Sequence, residues 1–394
     1  MTEKKNGKYL VTFGGWYQRT TLHLSEVYGF LAEGYSKLDL PKEKLADYWG
    51  KLNIDSVSRE ADYLEFVKAE TDEGIEIRYY EDGLYVLQFV SEDIKESRDL
   101  LENYFNNNFL PAIDFLFSLG APTPKILANM KISHPYVAGV IDGKPDDFSI
   151  NEGVYGKVYS KMSSFGVTVY KTSKYIFVVT TEKNHKLMQD LIEMQIFFRE
   201  FKDQLERYLD IHRKVWEEIS QIRERRYVRG RKVEFLSTQL ENYEKTINLI
   251  NSRINQMGNY VNTRASAAKK LEVDGHLVDL FQFKFETLAD THSYIKELWS
   301  MTKEYLKTAM EVIRDIQGKN MNNSIRSIQL LASIGVISGL LGYLSRDSLP
   351  AFTLIGISYF LLLIFTAWVI NYFINQYYRN KKFQITFAEK DNRI

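Results

Sequence analysis

The chain has 394 residues, balances 51 Lys and Arg against 51 Asp and Glu, and contains no cysteine. Disulfides, thiolate metal sites and cysteine nucleophiles are therefore excluded. Neutrality argues against a general nucleic-acid binder but leaves room for a small nucleotide ligand. Met1 to Lys8 leads into no apolar h-region, so no cleavable signal peptide is expected, and the first part of the chain is expected in the cytoplasm.

Residues 1–181 read as an α/β domain. Tyr9–Phe13, Glu65–Ala69, Ile75–Tyr80 and Leu84–Phe89 have strand composition, and Glu73-Gly74 and Asp82-Gly83 are turn dipeptides between them. Val167–Tyr170 and Tyr175–Val179 form a further hairpin. Leu100–Leu119 reads as a helix that Pro111 breaks. Directly after the first strand come Gly14, Gly15, Trp16 and Arg19. Glycines let a ligand approach the backbone, an aromatic ring stacks on a base, and an arginine pairs with phosphate, so these four are the candidate ligand site. An ordinary turn is the alternative.

Residues 182–320 contain no proline and read as a long helical stalk region. Helical spacing predicts one helix from about Lys183 to Val228, ending near Gly230. A second runs from about Val233 to Leu271 and ends at Asp274-Gly275. A third starts near Leu277 and continues unbroken to Leu344, roughly 100 Å at the rise of an α-helix. Short turns make the three antiparallel. Arg223, Arg225, Arg226, Arg229, Arg231 and Lys232 crowd the first turn and suit anionic lipid headgroups, a solvated helix end or a nucleotide phosphate.

Ser327–Leu344 and Ala351–Ile374 carry no charge. The expectation is a C-terminal transmembrane hairpin: a first spanning helix over 321–344, an outer loop over 345–350 and a second spanning helix over 351–376. A basic tail over 377–394 follows. Lys319 and Arg326 before the hairpin and Arg379, Lys381 and Lys382 after it place both termini in the cytoplasm, so a multi-pass protein of the inner (plasma) membrane is expected, with the bilayer as a partner.

The order of an α/β domain, long helices and a C-terminal hairpin resembles the CorA family of metal-ion transporters. Gly339-Leu340-Leu341-Gly342-Tyr343-Leu344 keeps both glycines of the family's G-x-x-G-M-N pattern. Tyr343 and Leu344 replace its Met and Asn, so Gly342, Tyr343 and Leu344 form a degenerate selectivity motif, and Leu344 lacks the amide oxygen that recruits a hydrated divalent cation. The resemblance implies a homopentamer with a pore along the first hairpin helix, and magnesium as a transported ion. A second resemblance is to divergent CorA-like effectors of type III CRISPR antiviral systems. It implies gating of a cation channel through the cytoplasmic domain by a nucleotide second messenger such as adenylated S-adenosylmethionine. The alternatives are a magnesium or other divalent cation transporter with a degenerate motif, and a non-conducting membrane-anchored receptor or scaffold.

On this resemblance Asn320, Ser324, Ile328, Leu331, Gly335, Ser338 and Gly342 recur along one face as pore-lining candidates, with Leu331 the narrow point. The same small residues also suit helix packing. Asp347 is the loop's one carboxylate. Glu304, Glu311 and Asp315 are out of phase with that face and read as a solvated surface. The six histidines, His23, His134, His185, His212, His276 and His292, show no metal-ligand spacing, so no metal ligand is assigned. No Walker, G-x-S-x-G or G-x-G-x-x-G loop is present, and no enzymatic activity and no nucleic-acid polymer as a partner are expected.

Overall fold

The computed structural model describes residues 8–16, 23–117, 136–140, 148–181, 185–225, 227–344 and 354–384. The chain divides into two compact units. One comprises Met1–Leu209 and Ser252–Lys296, the other Asp210–Asn251 and Glu297–Ile394.

The first unit is built on a nine-stranded sheet. Its strands are β1 (Tyr9–Trp16), β2 (Ile54–Ala61), β3 (Glu65–Thr71), β4 (Glu76–Tyr80), β5 (Leu84–Ser91), β6 (Tyr136–Val140), β7 (Ser160–Ser164), β8 (Val167–Lys171) and β9 (Tyr175–Val179). The spatial order is β2-β3-β4-β5-β1-β6-β9-β8-β7. Only β6 and β9 run parallel; the other neighbours are antiparallel. All five residues of β9 are buried, as the continuous apolar run of a strand covered on both faces requires.

One face is covered by α1 (Leu24–Glu33), α2 (Lys42–Leu52), α3 (Ile94–Tyr104) and α4 (Leu110–Leu116). Phe30, Leu31, Leu52, Leu101 and Ile113 from these helices join Val11, Val67 and Leu87 from the sheet in one buried cluster. Asp93 caps α3 by accepting from the backbone N–H groups of Lys95 and Glu96. The expected helix around Pro111 is α3 and α4 joined by a π-turn at Phe105–Phe109. Pro111 is the second residue of α4, directly after the π-turn, whose wider turn accommodates a residue without an N–H. After α4 comes the short helix α5 (Glu152–Tyr155).

The long helices are α6 (His185–Arg223), α7 (Gly230–Lys270) and α9 (Phe285–Leu344), with the short α8 (Asp274–Phe281) before the last. The first turns of α6 cover the second face of the sheet: a Cβ on Gly139 would lie 2.7 Å from the Met188 sulfur. The third long helix is not continuous from Leu277 as expected. Gln282 adopts the left-handed conformation at φ 60° and its N–H returns to the Val278 carbonyl, ending α8. Phe283 stacks on Phe198 with centroids 4.1 Å apart, which fixes the break.

In the second unit α6 ends at Arg223, well short of Gly230, because residues Tyr227–Arg229 form a strand, β10. It pairs antiparallel with β11 (Lys382–Gln384), which follows α10 (Leu354–Asn380). Trp216 stacks on Tyr305 at 4.3 Å, and Trp299 is fully buried beside His212.

The transmembrane hairpin is corrected. Among the described residues no helix is long and apolar enough to cross a membrane. The uncharged runs fall at the end of α9 and within α10, but lack of charge is a weaker condition than affinity for hydrocarbon. The membrane, transmembrane and ion-channel assignments, and the inner-membrane localisation drawn from them, lose their basis with that finding. Loop residues 345–350, Asp347 among them, lie outside the described residues.

Candidate functional site

Arg264 of α7 is the most unusual residue of the first unit. It occupies a core position, one step along the buried stripe Ile254, Met257 and Val261. A buried guanidinium needs a fixed anion, and the tight turn between β4 and β5 supplies one. Gly83 at φ 88° allows that turn, and Asp82 within it accepts the Leu84 N–H through Oδ1. Arg264 grips Asp82 in a fork, Nε to Oδ2 at 2.6 Å and Nη2 to Oδ1 at 3.0 Å, with both side chains at 0% exposure. Its Nη1 donates to the Tyr63 hydroxyl at 2.9 Å, and its guanidinium carbon lies 4.7 Å from the Tyr80 ring centroid. Burial opposes the charge of Arg264, but the Asp82 carboxylate and Tyr63 outweigh it, so its pKa stands above the usual arginine value.

The network continues along the sheet. Glu193 of α6 accepts from the Tyr80 hydroxyl and from Arg78 Nη1, the latter at 2.8 Å. Burial, reinforced by Glu193, pushes the Tyr80 phenol well up. Asp190, one turn earlier on α6, has its pKa raised to about 6 by desolvation and then by the Glu193 charge.

Beside this network opens a cleft of about 440 Å³ lined by His23, Leu24, Ser25, Arg59, Glu65, Glu81 and Tyr260. Its size falls in the range of small-molecule sites. His23 stands at the N-cap of α1, yet its ring makes no capping bond. Arg59 and Glu65 form an ion pair across β2 and β3. The Glu81 N–H donates to the Glu65 carbonyl at 3.1 Å, which brings their two carboxylates to one rim. Partial desolvation, then Glu65 and Asp82, raise the Glu81 pKa. Among the described residues the cleft thus offers an aromatic ring, an imidazole, two hydroxyls, a guanidinium and two carboxylates. Two of its residues are chain neighbours of the buried pair: Glu81 precedes Asp82, and Tyr260 lies one helical turn before Arg264.

The residues singled out from the sequence are placed as follows. Gly14, Gly15 and Trp16 lie inside β1 and not in a turn after it. A Cβ on Gly14 would lie 2.7 Å from the Tyr85 carbonyl oxygen, and one on Gly15 would lie 2.5 Å from the Tyr85 hydroxyl, so both glycines serve close packing. Trp16 donates through Nε1 to the Asp82 carbonyl and stacks on Phe201 at 5.4 Å, which makes it a wall behind the buried pair. Arg19 lies outside the described residues. Asn320, Ser324, Ile328, Leu331, Gly335, Ser338, Gly342, Tyr343 and Leu344 all lie on α9, and Ile328 is exposed. Glu304, Glu311 and Asp315 are exposed. Of the basic turn, Arg223 is held over the Tyr305 ring at 4.0 Å, while Arg225, Arg229, Arg231 and Lys232 share a separate cleft; Arg226 lies outside the described residues. Among the histidines, His23 reaches the candidate site and His292 is buried, its Nε2 at 2.6 Å from the Ile254 carbonyl oxygen. Among the described residues no group of three or more His, Asp or Glu is arranged to hold a metal ion.

Arg264 and Tyr260 escaped the sequence reading, although a signal existed. Arg264 replaces an apolar residue in a stripe otherwise made of Ile254, Met257, Val261 and Ala268. An arginine at a core position calls for a buried acid. No protein-family description, no curated protein and no solved structure matches the chain.

Proposed function

We propose that the chain is a ligand-controlled effector with a CorA-like order of parts, acting by binding and not by catalysis. In this reading its nine-stranded domain takes a small adenosine-containing nucleotide in the cleft beside Tyr260. The Tyr260 ring stacks on the base, Arg59 and His23 meet the phosphate, and Glu65 and Glu81 accept from ribose hydroxyls or an ammonium group. One observation carries the proposal: the ligand-facing Glu81 and Tyr260 are tied through the chain to Asp82 and Arg264, the pair that fastens α7 to the sheet. A ligand that displaces Glu81 or Tyr260 shifts that fastening, provided it binds one arrangement more tightly than the other. A transmembrane cation pathway needs spanning helices, so the proposal does not include one.

Self-association belongs to the same proposal. Leu354, Leu361, Phe365, Trp368 and Phe373 of α10 are all at least 60% exposed. A helix with apolar residues on every side needs a cover, and packing of copies against each other supplies it.

Isothermal titration of the full chain with ATP, oligoadenylates and adenylated S-adenosylmethionine tests the ligand. Binding that is lost in Tyr260→Ala and kept in Tyr294→Ala, an exposed tyrosine on α9, supports the reading. Absence of binding to every adenosine compound sinks it. Light scattering with and without mild detergent tests the assembly, and a monomer under both conditions refutes it. The second reading, an interaction scaffold, is favoured by Phe165, which is 90% exposed at the tip of the β7–β8 hairpin.

A further inference from the structure

The turn between α6 and α7 carries a second cleft, of about 430 Å³, which shares no lining residue with the Tyr260 cleft and is independent of the proposal made for it. Arg225, Arg229, Arg231 and Lys232 line it together with Tyr227 and Val228, and among the described residues no acidic one is in its walls. Among the described residues no carboxylate forms an ion pair with these four cations. The first turn of α7, which holds Arg231 and Lys232, contains no acidic residue either.

The backbone holds these charges close. Val228 and Phe383 pair at the buried centre of the β10–β11 ladder, so the flanking pair, Arg229 and Lys382, stands directly opposed. Like charges facing each other across a ladder destabilise it. The strands cannot relax apart at this point. The Gly230 N–H donates to the Lys381 carbonyl at 3.1 Å, and Gly230 approaches the Tyr378 carbonyl so closely that a Cβ would lie 2.5 Å from its oxygen. The fold thus maintains a concentration of positive charge that a polyvalent anion would relieve.

We infer that this cleft binds a small ligand carrying clustered phosphate groups. Three guanidiniums and an ammonium around one cavity exceed what a single carboxylate can neutralise. Guanidinium forks match phosphate oxygens two at a time, and the exposed Tyr227 hydroxyl adds a neutral donor. The phosphate chemistry is common to a free polyphosphate and to a phosphomonoester lipid headgroup, and the experiment separates the two sources.

The full chain is titrated calorimetrically with inorganic tripolyphosphate at low and high salt. In parallel it is sedimented with phosphatidylcholine vesicles with and without phosphatidate. Binding of tripolyphosphate alone identifies a soluble phosphate ligand, whereas sedimentation only with phosphatidate identifies a headgroup. Either result should weaken at least roughly tenfold in Arg229→Gln/Arg231→Gln and should fall with salt. Without anion the thermal midpoint of the double variant should equal or exceed that of the wild type, because the repulsion from Lys382 is removed. Tripolyphosphate should raise the wild-type midpoint only. Lys232→Gln, exposed and outside the ladder, provides a second weakened variant should the first fail to fold. Absence of binding to both probes, or equal binding by the variants, overturns the inference.

Discussion

Asp82 and Arg264, separated by 182 positions in the chain, meet as a two-pronged ion pair with no solvent exposure on either side chain. The pair pins the C-terminal part of α7 to the turn between β4 and β5. Removing one partner leaves an uncompensated buried charge, so Arg264→Met should lower stability by about 3–5 kcal/mol, and Asp82→Asn by a comparable amount. The double variant Asp82→Asn/Arg264→Met should cost clearly less than the sum, because no orphaned charge remains. Urea denaturation of the three variants measures this; strict additivity would show that the two side chains act separately.

Asp190 gives the fold a pH dependence of definite sign. Its pKa rises from 3.8 to about 6 on folding, through desolvation and then the neighbouring Glu193. An acid raised in this way supports stability fully below pH 3.8 and withdraws that support as pH climbs through about 6. Asp190→Asn should therefore match the wild type near pH 3.8 and exceed it at pH 8. The gain is about 1 kcal/mol once the group's partial solvent screening is allowed for. Thermal midpoints of both proteins across this range test the sign, and a gain confined to acid pH would contradict it.

Gly14 and Gly15 differ in what blocks a side chain. At Gly14 the obstacle is the backbone oxygen of Tyr85, 2.7 Å from a built Cβ, and a strand carbonyl cannot step aside. At Gly15 it is the hydroxyl at the far end of the Tyr85 side chain, not backbone. Gly14→Ala should cost about 1–3 kcal/mol as an overpacked core site, and Gly15→Ala less. Gly50→Ala, with open space around it, should be neutral or slightly stabilising within its helix. Equal midpoints for Gly14→Ala and Gly50→Ala in denaturant would mean that β1 is not packed as described.

These residues also show where the sequence was legible. The strands with strong apolar or turn signals, β1, β3, β4, β5, β8 and β9, were readable from alternation and from Asp82-Gly83 and Glu73-Gly74. The missed β2 and β7 are outer strands of the sheet, and polar residues such as Ser56, Ser58 and Ser163 carry no apolar period there. The missed β6 is central but contains Gly139, whose role appears only when Met188 packs on it. The end of α6 was misplaced because β10 is defined by a partner more than 150 residues away, which no local pattern encodes. The spanning helices expected from the uncharged runs at the end of α9 and in α10 are not matched, among the described residues, by any helix long and apolar enough to cross a membrane. The cleft beside Tyr260 draws on four separate parts of the chain, and its only local trace was the arginine in the apolar stripe of α7.

Phe165 is the clearest site for a stabilising change. It occupies the first tip position of the β7–β8 hairpin at φ 40°, followed by Gly166 at φ 85°. Two consecutive positive φ values define the turn type that favours Asn-Gly, because asparagine tolerates the left-handed region and a phenylalanine ring does not. The ring is 90% exposed, and among the described residues its one aromatic contact is with His276 at 6.0 Å, so little packing opposes its removal. Phe165→Asn should therefore raise stability by about 1 kcal/mol, seen as an increased thermal midpoint with an unchanged denaturant slope. Phe165→Val should lower it, since a β-branched side chain is still less at ease with positive φ. If Phe165→Asn is destabilising, the ring is held by a contact in the assembled protein, and the scaffold reading gains over the ligand-controlled one.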